Sequence, residues 1–157
     1  MFMIGDKIVY PMHGAGVIEE IEEKKILGET RRYYILRVPC GDMKIMIPVD
    51  SSKDIGVRSV VSDMELSQVM ETLESESSQM SSNWNRRYRE NMEKLKTGNV
   101  IQVAEVVRNL MRTDREKKLS TGEKKMLSNA KQILLSEIIL IKGIDIGDAG
   151  RMVEKAI

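Results

Sequence analysis

The feature that most restricts this chain is a change of hydrophobic period near residues 50–60. Before it, KIVY, VIEEIEEK, RRYYILRV and MKIMIPV are short runs rich in Val, Ile and Tyr, separated by the turn formers PMHGAG, ILGET and PCGD. Such runs are strands. ILGET puts Gly28 where a hairpin needs a positive φ, and Gly41 in CGD repeats that logic. In MKIMIPV, Met43, Ile45 and Ile47 share one face, and Lys44, Met46 and Pro48 the other. Pro48 has no N–H to donate, so this strand lies at an edge or ends there. Residues 1–55 are therefore expected to form a small antiparallel barrel. A unit of that size is marginal alone and should pack on the second half of the chain.

Residues 60–157 read as helices. Ser62-x-x-Glu65 is a capping box ahead of Leu66, Val69, Met70 and Leu73. SESSQMSSN breaks that helix as a polar loop. Ser82 or Asn83 caps the next, with the stripe Trp84, Tyr88, Met92 and Leu95 and a stop at Gly98. Val100, Val103, Ala104, Val107, Leu110 and Met111 make a further stripe. Ser120-x-x-Glu123 opens a long helix through Met126, Ala130, Ile133, Leu134, Ile138 and Ile141, ended by Gly143. A short helix near Asp148 to Ala156 closes the chain. The class is α+β, with a five-helix bundle following the barrel.

Charge divides along the same line. Residues 1–60 carry nine basic and nine acidic side chains, 61–80 none and five, and 81–157 sixteen and ten. The net +1 of the whole chain thus hides a C-terminal excess of six positive charges. That asymmetry suits a polyanion partner, or simply solvated helix faces. Cys40 is the single cysteine and His13 the single histidine. No internal disulfide can form, and the pair falls short of a Cys/His zinc site. MFMIGDKIVY lacks the apolar stretch of a signal peptide, and no run approaches the ~20 residues of a membrane span. A cytoplasmic chain without membrane attachment is expected.

Catalytic patterns are missing. There is no G-x-S-x-G, H-E-x-x-H or G-x-x-x-x-G-K-[ST]. His13 and Cys40 lie on different loops. Gly14-Ala15-Gly16 is a lone G-x-G, better suited to turning a strand than to cradling phosphate. The expectation is a non-enzyme with no cofactor.

The basic half offers more. Arg86, Arg87 and Arg89 fall in the first turns of the Trp84 helix. Arg108, Arg112 and Arg115 run down the next one. Lys117, Lys118, Lys124 and Lys125 bracket the second capping box. Such side chains neutralise phosphates and carry no sequence information themselves. Trp84, the only tryptophan, has two readings. Its spacing to Tyr88 and Met92 suits a core anchor. Its place at a helix tip after a polar loop suits an apolar wedge in a minor groove.

GDKIVYPMHGAGVIEEIE, MKIMIPV, NWNRRYRENMEKLKTGN, VAEVVRNLMR and LSTGEKKMLSNAKQIL together resemble the CarD/CdnL transcription regulators over essentially the whole chain. The first half also resembles the polymerase-interacting module of the bacterial transcription–repair coupling factor, here without a motor motif. The resemblance implies a Tudor/SH3-like barrel that binds the β subunit of bacterial RNA polymerase. It implies a helical domain at the upstream edge of the transcription bubble, on promoter DNA through the minor groove and phosphate backbone. The family's tryptophan matches Trp84, its basic neighbours Arg86, Arg87 and Arg89, and the lysine of the GEK turn Lys124, next to Lys125. Its polymerase contacts correspond to Lys24, Leu36, Met46 and Pro48. Some members carry a basic residue where Met46 stands, so the contact here is more apolar. A monomer is the default. Two other readings stay open: an adaptor that binds only protein, and a repressor that binds duplex DNA directly.

Overall fold

The computed structural model describes residues 1–39 and 43–157. Alternating apolar residues build the strands β1 (Lys7–Tyr10), β2 (Gly14–Ile26), β3 (Glu29–Val38) and β4 (Met43–Pro48). A one-turn helix, α1 (Ser52–Ile55), leads into the short β5 (Arg58–Ser59). All ladders are antiparallel, in the order β4-β3-β2-β1-β5. β4 is thus an edge strand, as Pro48 requires. Leu27 and Gly28 join β2 to β3 with φ of 52° and 82°, the two positive values of a type I′ turn. Gly41 and Cys40, expected in a turn, lie outside the described residues.

Register sorts the sheet into two faces. Ile18 pairs with Leu36 and Leu36 with Ile45; Ile21 pairs with Tyr34 and Tyr34 with Ile47. These point inward, and Ile18, Tyr34, Leu36 and Ile47 are essentially fully buried. Opposite, Glu20 pairs with Ile35 and Ile35 with Met46, while Glu22 pairs with Tyr33 and Tyr33 with Pro48. A β-bulge between Ile18 and Glu20 shifts the parity of β2, which is why both Ile18 and Ile21 face in.

Five helices complete the chain: α2 (Asp63–Glu74), α3 (Trp84–Lys96), α4 (Val100–Glu116), α5 (Thr121–Lys142) and α6 (Ile146–Ala156). Each begins with a side-chain cap: Ser62, Asn83, Asn99, Ser120 and Asp145 accept from backbone N–H groups of the first turn. α4 is the central helix, burying Val103, Ala104, Val106, Val107 and Leu110. Both halves share one apolar cluster that runs from Ile8 and Ile18 through Leu134 and Ile138 to Val153.

Polar contacts key the two halves together. Ser136 of α5 accepts from Ala15 N at 2.8 Å, and Gly14 lies so close that a Cβ there would sit 2.8 Å from the Ser136 hydroxyl. Gly16 is packed against the Arg37 carbonyl in the same way. The G-x-G is therefore a packing device. Glu137, buried on α5, accepts two bonds of 2.9 Å from Arg58 and a third from Val61 N. Arg58 also donates to the Gly98 carbonyl between α3 and α4 at 2.9 Å.

Candidate nucleic-acid interface

Two capped helix N-termini meet side by side. Asn83 opens α3 and Ser120 opens α5. Trp84, the first residue of α3, bridges them. Its indole N–H donates to Ser120 Oγ at 2.9 Å. Its ring stacks on Tyr88, one turn on, with centroids 5.8 Å apart and planes 21° apart. Beneath lies Gly122, where a Cβ would touch both rings, at 3.7 Å from Trp84 and 3.9 Å from Tyr88. The tryptophan is nonetheless 45% exposed. One edge is anchored and one face is offered to solvent. It is not a core residue.

An ion pair behind it fixes the two helices. Arg87 donates through Nε and Nη2 to the two oxygens of Glu123, both at 2.8 Å. Glu123 is 2% exposed and Arg87 21%. Those hydrogen bonds hold the Glu123 carboxyl below its ordinary range and push Arg87 up. Ser120 completes the cluster: its hydroxyl accepts from Glu123 N at 3.3 Å and donates to Glu123 Oε1 at 3.2 Å.

Arg86, Arg89, Lys124 and Lys125 lie in the first two turns of the same two helices, none of them buried. Arg86 makes an i,i+4 pair with Glu90 at 2.9 Å. The partial positive charge of two helix N-termini adds to these cations. The chemistry suits a flat aromatic surface flanked by anionic groups, as at a nucleic-acid groove.

Two family models cover nearly all of the chain. The CarD C-terminal domain matches residues 68–154, and the CarD-like/TRCF RID domain matches residues 2–61. A Bacillus subtilis (strain 168) protein described as "Putative transcription factor YdeB" is 46% identical over 144 residues, covering 92% of this chain and 94% of that one. The chain belongs to the CarD family. CarD membership makes it a transcription regulator and points away from enzymatic chemistry. Among the described residues, no cluster of three or more His, Cys, Asp or Glu could hold a metal, and no helix is long and apolar enough to cross a membrane.

The CarD fold corrects several expectations. Arg87 is committed to Glu123 and does not stand free for a phosphate. Arg108 and Arg112 are not a phosphate-facing row: they donate to carbonyls at the C-terminal end of α2 and to a carbonyl and hydroxyls of the α2–α3 loop. Burial lowers the Arg108 pKa, as expected for a cation removed from water. Leu36 is the clearest miss. It faces the core, and β3 is paired on both sides, so its side chain is unavailable to a polymerase. His13 is exposed with its ring 4.3 Å from that of Tyr10, while Cys40 lies outside the described residues.

Lys24, Met46 and Pro48 share the outer face of the CarD sheet, together with Tyr33, Ile35 and Arg31. Glu20 and Glu22 border this patch. A hydrogen bond to Glu22, and its charge, push the Glu20 pKa up. Tyr33 and Ile35 are not legible in the sequence as site residues, because only the pairing register reveals that they flank Met46 and Pro48. Ser120 and Glu123 are legible as a cap. Their second task, holding α3, is not.

Proposed function

We propose that this CarD-family chain binds the RNA polymerase β subunit through the outer face of its sheet and presses Trp84 into promoter DNA at the upstream edge of the bubble, stabilising the open complex. Lys24, Met46 and Pro48 contribute the polymerase contact. Arg86, Arg89, Lys124 and Lys125 contact phosphates on either side of the minor groove. Arg87 acts as a positioning residue through Glu123.

The observation that carries this reading is the anchored, half-exposed indole at the joined N-termini of α3 and α5. A stacked, hydrogen-bonded ring is pre-ordered, so inserting it costs little side-chain entropy. Unstacking a base step costs a few kcal/mol. The cost is smallest at a junction polymerase has already opened, so the wedge binds the open state better and shifts the equilibrium toward it. Each ~1.4 kcal/mol of differential binding is about tenfold. No base-reading row flanks Trp84, so recognition rests on backbone and shape. Polymerase supplies the address, which raises the local concentration of a weak DNA contact. Residues 1–55 and 60–157 serve as the two binding modules.

The test is open-complex lifetime with purified bacterial RNA polymerase, for wild type and Trp84→Ala, beside thermal unfolding of both. A lifetime gain lost in a folded Trp84→Ala supports the reading. No gain with wild type overturns it and favours the protein-only adaptor; tight, sequence-dependent binding without polymerase favours the repressor.

A further inference from the structure

The loop between α2 and α3 is held by two guanidinium groups whose hydrogen-bond acceptors, among the described residues, are all neutral. Arg108 is 3% exposed. Its donors reach Thr72 O at 2.8 Å, Ser75 Oγ at 3.0 Å, Ser78 Oγ at 2.8 Å and Asn109 Oδ1 at 3.1 Å. Arg112 donates to Ser75 O at 2.7 Å, Leu73 O at 3.1 Å and Ser77 Oγ at 3.0 Å. The carboxylate that acts on Arg108, Glu105, is itself engaged by Lys94 at 3.1 Å. Asn109 Nδ2 is the one buried side-chain polar atom without a partner among the described residues. Buried cations are normally paired with an anion, and buried donors are normally satisfied. This corner is short of negative charge, although the exposed Glu71, Glu74 and Glu76 lie on the same segment.

The serines differ in what their hydroxyls already do. Ser75 Oγ donates to Thr72 O at 2.8 Å while accepting from Arg108. Ser78 is partly buried on Arg108. Ser77 is exposed, and its hydroxyl accepts from Arg112. Among the described residues no acceptor takes its proton.

We propose that Ser77 is a phosphorylation site, and that its phosphate seats on Arg112 with Arg108 behind it, closing the loop that leads to Trp84. The donor is a nucleoside triphosphate presented by a protein-serine kinase. Ser77 Oγ attacks the γ-phosphorus, the bond to the β,γ-bridging oxygen breaks, and the nucleoside diphosphate leaves with that electron pair. The hydroxyl proton passes to the kinase's base. The product carries about −1.5 to −2 charge and three acceptor oxygens within reach of a planar fork of donors. The assignment does not depend on the polymerase and DNA reading.

The test uses the full chain with phosphoserine installed at position 77 or, as control, at the exposed Ser82. Phosphoserine at 77 should raise Tm by about 2–4 °C and slow amide exchange across 76–82. The gain should vanish in Arg112→Gln, and shrink in Arg112→Lys should the Gln variant fold poorly. The control should show no Arg112-dependent gain. Mass spectrometry of the chain from its native host should find phosphate on Ser77. No gain at 77, a gain independent of Arg112, or an unmodified Ser77 at every growth stage overturns the proposal. So does an equal Arg112-dependent gain from millimolar orthophosphate on the unmodified chain, which would make this a free-anion site.

Discussion

The indole N–H of Trp84 donates to the hydroxyl of Ser120 at 2.9 Å, and through that one bond the first residue of α3 is tied to the cap of α5. Ser120 serves two helices at once. Ser120→Ala removes the cap and the anchor together and should cost about 1–2 kcal/mol. Trp84→Phe keeps a ring against Tyr88 but loses the bond, and should cost about 0.5–1.5 kcal/mol. Chemical denaturation of both variants and their double mutant checks this: the two losses should be markedly less than additive. Full additivity would mean the bond contributes nothing.

Acid should loosen the same corner. The Glu123 carboxyl is held below its ordinary range, chiefly by the hydrogen bonds from Arg87. A folded-state pKa lower than the unfolded one gives stability that is whole above about 4.3, the ordinary Glu value, and is lost as pH falls through the lowered value. Glu123→Gln should flatten the acid limb of a stability–pH profile. Arg87→Met leaves a buried carboxylate without its partner and should cost about 3–5 kcal/mol at neutral pH. A variant as stable as wild type at pH 7 would refute the pairing.

The Arg58–Glu137 pair joins the sheet to α5, with Glu137 buried. Arg58→Ala should destabilise the chain by about 3–5 kcal/mol, because it strands that carboxylate. Calorimetry should still show one transition in wild type, since both halves share a core. Two resolved transitions in wild type would contradict that.

One substitution should stabilise. Leu27 is fully exposed at the tip of the β2–β3 hairpin with φ of 52°, a region where a Leu side chain is strained. Leu27→Asn creates the Asn-Gly pair favoured by a type I′ turn. Tm should rise by about 2–4 °C for each ~1 kcal/mol relieved. An unchanged or lowered Tm would show that Leu27 is held there by something other than turn geometry.

Much of the architecture could be read from local chemistry. Ser62, Asn83, Gly28, Gly143 and the stripe on α4 act through neighbours a few residues away, so spacing reveals them. What stayed hidden depends on distant partners. Leu36 and Met46 sit on adjacent paired strands, yet one is buried and one exposed, and the register that separates them is not written in either strand. The bulge at Ile18–Glu20 changes which residues face inward without any glycine to mark it. Arg87 and Arg89 look alike in sequence; only the approach of α5 commits the first to Glu123. Arg108 and Arg112 carry the same charge as a phosphate-binding row, and only the path of the α2–α3 loop shows that they hold backbone instead.

The keyed joint made by Arg58, Glu137, Gly98 and Ser136 has a consequence for distance. A swivelling linker would let Trp84 sweep over several base steps while the sheet stayed on polymerase. A joint fastened to β5, α5 and the α3–α4 turn opposes such a sweep, because these hydrogen bonds would have to break first. On the reading proposed, the molecule is a gauge block: seated at one end, it meets the double helix at one fixed offset, whatever bases happen to lie there.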